Sequence, residues 1–267
     1  MRVGHTERAP ADRVEQGWER TQAVLADRHV SALGKYRRLV TGPVGLLGLL
    51  KYEMITGIFG GLPGLLGLAS RRIFYRLLFQ SMGNEVVIGQ HVTIRYPHRI
   101  RLGNGVVIED WAVLDAKGVQ DQEIILHDGV FVGRGTILSA RHGTLEIGEG
   151  ASIGSCCRIT ASRIGRKALI AAYVYIISGG HQSDRIDIPI AVQPLEHRGR
   201  VELGDGCWVG AFTAVMPGAH VGNDAIVGAH SVVTRDVPPF AVAYGIPARV
   251  RRDRRCVPFV EEEKCQP

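Results

Sequence analysis

The sequence lacks the marks of several protein classes. Its five cysteines, Cys156, Cys157, Cys207, Cys256 and Cys265, form no C-x-x-C pair. That removes the usual signature of a zinc knuckle or a dithiol centre and points to a reducing compartment. No two of the ten histidines stand five apart in the repeat region, and His220 and His230 are ten apart. A zinc site shared between stacked coils, as in a metal-dependent hydratase, is therefore not expected, and no metal is assigned. No uncharged apolar run reaches the ~18 residues of a spanning helix. The start of the chain has no basic-then-apolar pattern of an export signal, so a cytoplasmic protein is expected. Aromatic residues make up only 6% of the chain. Without interleaved aromatic and basic residues no nucleic-acid partner is expected.

What is present is a period. From Leu203 the chain reads LGDGCW, VGAFTA, VMPGAH, VGNDAI, VGAHSV, VTRDVP, with an aliphatic residue at Leu203, Val209, Val215, Val221, Val227 and Val233. Two residues before each later aliphatic stands a small one: Cys207, Thr213, Ala219, Ala225 or Ser231. Interrupted forms of the rule occur earlier, at Ile88 and Ile94, then Leu102, Ile108 and Leu114, then Leu126, Val132 and Leu138. They continue through Ile147, Ile153 and Ile159, then Ile164, Ile170 and Ile176. A helix of period 3.6 cannot hold every sixth residue on one face, whereas a short strand followed by a corner can. Three hexads close one coil of about eighteen residues, and stacked coils pair their strands in parallel. Each buried aliphatic contributes roughly 1.5–3 kcal/mol, so one coil cannot stand alone but a stack can. Glycine after the aliphatic, as in Val209-Gly210 and Val221-Gly222, is expected to serve the backbone angles and close approach of the corners.

The chain before the coil differs in character. Residues 12–40 read as an amphipathic helix with a stripe of Val14, Trp18, Thr21 and Leu25, continued by Leu33, Tyr36 and Leu39. Residues 39–70 are glycine-rich and apolar, interrupted by Lys51 and Glu53 and broken at Pro43 and Pro63. Arg71, Arg72 and Arg76 follow, with Ile73, Phe74, Leu77 and Leu78 between and after them. Two readings stand for residues 39–78: a segment lying peripherally in a membrane interface, or a helical hairpin packed on the coil or a second subunit. The expected organisation is a helical, apolar segment at 1–80, a β-helix at 81–248 with a loop at 178–202, and a basic tail at 249–267. The formal charge is +6, with basic clusters around Arg71-Arg72 and from Arg249 to Arg255. Such clusters suit phosphates of a cofactor or an anionic surface.

The segment Gly204 to Arg252 resembles the hexapeptide-repeat O-acetyltransferases, the family of galactoside and maltose acetyltransferases and of enzymes that acetylate bacterial polysaccharides. The resemblance rests on Gly204 to Ala211, Met216-Pro217-Gly218, Val227 to Pro239 and Gly245 to Val250. It implies a mainly β fold, a left-handed parallel β-helix of hexapeptide repeats. It further implies a homotrimer with sites in the grooves between subunits, acetyl-CoA or another acyl-CoA as donor, and a sugar or polysaccharide hydroxyl as acceptor near the inner face of a bacterial membrane. The matching general base is His181, in the loop where the repeat stops, and Asp184 is a candidate to orient its ring. An unperturbed imidazole titrates near pH 6.5, which suits a base at neutral pH. By the same resemblance the Ala211 amide faces the thioester oxygen, Ala229 lines the pantetheine groove, and Thr234 and Arg235 meet the far end of the coenzyme. Arg249 and Arg252 suit its phosphates through forked, charge-assisted contacts. Trp208 is either a residue beside the acceptor or an outward packing residue. Cys207 is read as a small inward residue and not a nucleophile. The other readings of the coil are a serine-type acetyltransferase and a non-catalytic scaffold. The loop side chains Arg185, Asp187, Gln193, Glu196, His197 and Arg198 read as generic polar groups around the acceptor.

Overall fold

The computed structural model describes residues 21–118, 122–141, 143–196 and 199–256; Val14, Trp18, His142, His197, Arg198 and Cys265 lie outside them. A parallel β-helix of seven coils occupies most of this range, its short strands forming three faces. The first face runs from Ser81–Met82 to His220–Val221, the second from Val87–Ile88 to Ala241–Tyr244, and the third from Thr93–Arg95 to Val232–Val233.

The six-residue period is the register of these faces. Leu102, Leu126, Ile147, Ile164, Leu203 and Val221 pair in succession on the first face. Ile88, Ile108, Val132, Ile153, Ile170, Val209 and Val227 do so on the second. Ile94, Leu114, Leu138, Ile159, Ile176, Val215 and Val233 do so on the third. Every one of these side chains is buried, as are the small residues Cys207, Thr213, Ala219, Ala225 and Ser231. The expected interruptions share one place. Each break in the period, after Ile94, Leu114, Leu138, Ile159 and Ile176, falls where the third face turns into the first.

The corner glycines serve only half of the expected role. A Cβ on Gly210 would meet the Ala229 nitrogen at 2.5 Å, so the close approach of coils does require glycine there. The left-handed backbone falls later, on the third residue after the aliphatic, at Gly206, Phe212, Gly218, Asp224 and His230. Non-glycine residues accept that conformation because the coils above and below fix it, at a cost of order 1 kcal/mol each.

Among the described residues four α-helices precede the coil: α1 Thr21–Ala26, α2 Ala32–Val40, α3 Leu46–Phe59 and α4 Gly64–Phe74. The single helix expected over 12–40 is thus broken within its described part. The Asp27 carboxylate accepts the His29 N–H at 2.9 Å, and Ser31 caps α2 by accepting the Gly34 N–H at 3.1 Å. Both side chains satisfy backbone donors outside a continuous helix. The inner sides of α3 and α4 close the open end of the first coil with Leu49, Tyr52, Ile55, Gly67, Ser70 and Arg71. The Tyr52 hydroxyl donates to the Ile94 carbonyl at 2.7 Å. The buried Arg71 guanidinium donates to the carbonyls of Ile88 at 2.8 Å, Phe59 at 3.0 Å and Leu62 at 2.8 Å. At the other end Arg249–Asp253, read from sequence as part of a basic tail, is a strand antiparallel to Ala241–Tyr244.

Arg71→Met keeps an unbranched apolar stem but strands three carbonyls. It should cost at least ~2 kcal/mol, since each buried acceptor left unpaired loses about 1–3 kcal/mol. Urea unfolding should show the lowered midpoint, and hydrogen exchange should show α4 losing protection before the coil.

Candidate active site

The edge between the third and first faces carries every insertion, and the longest holds His181. Gly180–His181 pairs antiparallel with Leu195–Glu196, and the Gln182 N–H donates to the Pro194 carbonyl at 2.9 Å. Gln193 is not a generic polar group. Its buried amide donates to the carbonyls of Arg185 at 2.7 Å and Ile188 at 3.1 Å and accepts the Arg185 N–H at 3.3 Å, so it holds the loop's shape. Arg185 pairs with Asp187. Ile186, Ile190 and Val192 are exposed on the same loop and give it apolar reach. His181 and Asp184 are exposed, and among the described residues neither side chain has a hydrogen-bond or ion-pair partner.

Polar residues line the same edge on the coils below. Asp115, buried, accepts Arg141 Nε at 3.1 Å, Arg141 Nη2 at 2.9 Å and the Lys117 N–H at 3.2 Å, with Arg95 3.6 Å away. Ser139 stacks on Asp115 and Thr160 on Ser139. The Thr160 hydroxyl donates to the Ile176 carbonyl at 3.0 Å and accepts the Ser178 N–H at 2.8 Å. The hydroxyls of Ser162 and Ser178 are buried with no partner among the described residues. Sequence reasoning missed this row. Its signal is a polar residue directly after a buried third-face aliphatic, as in Leu114-Asp115, Leu138-Ser139 and Ile159-Thr160.

The opposite edge of the third face carries a different feature. At several corners the second residue after the aliphatic is Asp or Asn, and its side chain accepts the backbone N–H of the equivalent residue one coil earlier. Asp128 does this for Asn104 at 2.8 Å, Asp205 for Arg166 at 2.7 Å and Asn223 for Asp205 at 3.0 Å. At the corner from second to third face Asp110 does the same for Gln90 at 2.8 Å, but in the fifth to seventh coils the equivalent residues are Ala172, Ala211 and Ala229, whose methyl groups accept nothing. The amides of Ala172, Ala211 and Ala229 have no acceptor among the described residues. Ala211 and Ala229 are stacked, with the His230 N–H donating to the Ala211 carbonyl at 2.9 Å. Beside them the rings of Tyr173, Phe212 and His230 stack at 4.8 and 4.9 Å, exposed along the corner.

Trp208 is half-exposed on the second face between Leu169 and Ile226. Thr234 and Arg235 are exposed at the third-to-first edge, and Arg249 and Arg252 are exposed on the final strand. Arg254 is not available to a ligand in the same way, because Nη1 donates to the Asp224 carbonyl. Cys207 is buried, and burial, with the nearby Asp205 and Asp224, pushes its thiol up to about 12, which rules it out as a thiolate nucleophile. His98 departs from an exposed coil histidine: it is half-buried, and desolvation followed by Arg99 lowers its pKa. The open groove of about 600 Å³ on the first face lies away from these residues, among His127, Glu146, Arg163, Glu202 and His220. The structure therefore brings Ala211 and Ala229 together. It sets His181 on the other edge of the third face.

Residues 200–235 match the family model for the bacterial transferase hexapeptide (six repeats). The galactoside O-acetyltransferase of Escherichia coli (strain K12) is 32% identical over 99 residues, 34% of this chain and 43% of that protein. A Mycobacterium tuberculosis protein called a "probable acetyltransferase" is 28% identical over 166 residues, 59% of this chain and 55% of that protein. The chain thus spans about half the length of the curated relatives it matches. A solved hexapeptide-repeat acetyltransferase of Vibrio cholerae, complexed with acetyl-coenzyme A, aligns over 82% of this chain and 97% of that one, at 18% identity and a TM-score of 0.39.

Ala229→Asn gives the Ala211 amide the cap that Asn223 gives Asp205. The variant should fold with unchanged or slightly higher stability, and if coenzyme A is the ligand of this row it should bind at least about tenfold more weakly, a loss of roughly 1.4 kcal/mol. Calorimetric titration beside a thermal melt checks both halves.

Proposed function

We propose that this protein is an acyl-CoA-dependent O-acyltransferase that moves an acyl group, acetyl in the simplest case, onto a hydroxyl of a sugar or polysaccharide precursor. The observation that carries this reading is the row of unbonded amides at Ala172, Ala211 and Ala229 on three successive coils, whose first-to-second corner keeps side-chain caps on the amides of Arg166 and Asp205. Three open donors in line suit the amide carbonyls of pantetheine and a thioester oxygen. The relatives named as acetyltransferases support the same reading.

In this mechanism the imidazole of His181 takes the proton of the acceptor hydroxyl as its oxygen attacks the thioester carbon. The Ala211 N–H donates to the resulting oxyanion, a type of contact worth about 3–4 kcal/mol where measured. Collapse of the tetrahedral intermediate breaks the C–S bond, and the imidazolium returns its proton to the coenzyme sulfur. Thr234, Arg235, Arg249 and Arg252 hold the nucleotide end of the donor. Trp208 flanks the acceptor. The buried row from Asp115 to Ser178, with Ile186, Ile190 and Val192 of the loop, shapes the acceptor pocket.

His181 and Ala211 stand on opposite edges of one face, so the reading requires a neighbouring chain to close the site. A homotrimer does this by setting the third-to-first edge of one subunit against the second-to-third corner of the next. The exposed rings of Tyr173, Phe212 and His230 supply apolar surface for that contact.

Purified protein incubated with acetyl-CoA and a panel of mono- and oligosaccharides should release free thiol and add one acetyl mass to a hydroxyl. His181→Ala should lower kcat by roughly 10²–10⁴-fold with coenzyme binding intact. Co-expression of His181→Ala with Ala229→Asn should restore part of the activity, because mixed trimers contain sites assembled from unmutated edges. Near-normal turnover by His181→Ala removes the proposed base. No rescue in mixed assemblies removes the shared site.

A further inference from the structure

The helices that close the coil leave an apolar surface on their far side. Leu46, Leu47, Leu50, Met54 and Ile58 of α3, and Leu65, Leu66 and Ile73 of α4 with Leu77 beyond it, are exposed, Leu47 and Leu65 each at 84%. The sides carrying Leu49, Tyr52, Ile55 and Arg71 are already used against the first coil. The Phe59 and Phe74 rings stack at 4.2 Å, and Lys51 Nζ donates to the Leu77 carbonyl at 2.9 Å, which ties the two helices into one unit. The hairpin therefore packs on the coil and also presents leucines outward, joining the two readings of residues 39–78. No helix among the described residues is long and apolar enough to cross a membrane. Soluble monomers rarely expose contiguous apolar patches of this kind without a partner.

Charge selects the partner. Residues 21–80 contain eight basic side chains, Arg28, Lys35, Arg37, Arg38, Lys51, Arg71, Arg72 and Arg76, against two carboxylates, Asp27 and Glu53. That surplus of six equals the formal +6 of the whole chain, so the remainder is balanced. Both carboxylates are engaged: Asp27 lies 3.6 Å from Arg38, and Glu53 accepts the Tyr36 hydroxyl at 2.6 Å. Two copies meeting end to end through this surface would bring their whole net charges together, which works against a second copy as the cover. An anionic bilayer satisfies both properties, with leucines among the acyl chains and Lys51, Arg72 and Arg76 at headgroup level.

We infer that the outer face of α3 and α4 is a monotopic membrane-docking surface for anionic lipid. The coil then stands on the bilayer by its first-coil end. The His181 loop leaves the fifth coil, so at about 4.8 Å per coil it stands roughly 20 Å above the first.

Flotation of the full chain with vesicles tests this directly. With mixed phosphatidylcholine and phosphatidylglycerol vesicles at low salt the protein should float, and with phosphatidylcholine alone it should float far less. The combined variant Leu47→Ser, Leu65→Ser, Ile73→Ser should stay at the bottom while keeping its thermal melt. Arg72→Glu should lower the bound fraction on the anionic vesicles by roughly tenfold and lose less in high salt. Equal flotation of the wild type and the triple variant overturns the inference. So does a wild type that ignores vesicles but loses a higher-order assembly on the serine substitutions, since a second copy then covers the face.

Discussion

The constraint on which the rest of this structure depends is that each coil must lie in register on the last. A buried aliphatic in one coil has its packing partners in the coils above and below, and the backbone amides of its strand find their carbonyls there too. The glycine after the aliphatic is where this contact is tightest, as the 2.5 Å approach to the Ala229 nitrogen at Gly210 records. Any added residue at such a corner would shift the strands that follow. The chain confines added residues to one edge, and that edge carries the His181 loop and the polar row from Asp115 to Ser178. One physical rule thus fixes the core and decides where the molecule is free to vary.

The same rule creates two ends with unpaired strands, and the two ends are closed differently. The last coil is covered by its own continuation, with Arg249–Asp253 laid antiparallel along Ala241–Tyr244. The first coil is covered by helices, and a helix cannot supply the hydrogen bonds that a further strand would. Arg71 does so instead, donating from one buried guanidinium to Ile88 of the first coil and to the ends of the turn between α3 and α4. Burial lowers its pKa below the ordinary guanidinium value, yet three of its five N–H donors are met by backbone carbonyls.

Much of this was legible in the sequence because a period of six leaves few alternatives. Every aliphatic position named from the period is buried in the face and order the repeat implies. The role of Cys207 followed from its small size and its place in the hexad. Other features were written in side-chain contacts that no period reports. The break between α1 and α2 depends on Asp27 and Ser31 turning to nearby amides, short-range choices that an apolar stripe overrides on paper. Gln193 looks like a surface amide until its three backbone partners are known. The left-handed corner residue is not glycine at Phe212, Asp224 or His230, so glycine counting misplaces the strained position by two residues.

On the proposed function, the alanines at the second-to-third corner are how the repeat carries chemistry without adding a residue. Asp and Asn at that step are structural, since they satisfy an amide that the coil itself cannot. With Ala172, Ala211 and Ala229 at that step the satisfaction is missing at successive coils, and unpaired donors near a surface cost stability unless something else accepts from them. A single alanine is unremarkable in composition. Three in stacked register, beside a first-to-second corner that caps the amides of Arg166 and Asp205, leave a line of donors one coil apart, and on the proposed reading an extended ligand with carbonyls along its length is what accepts from them.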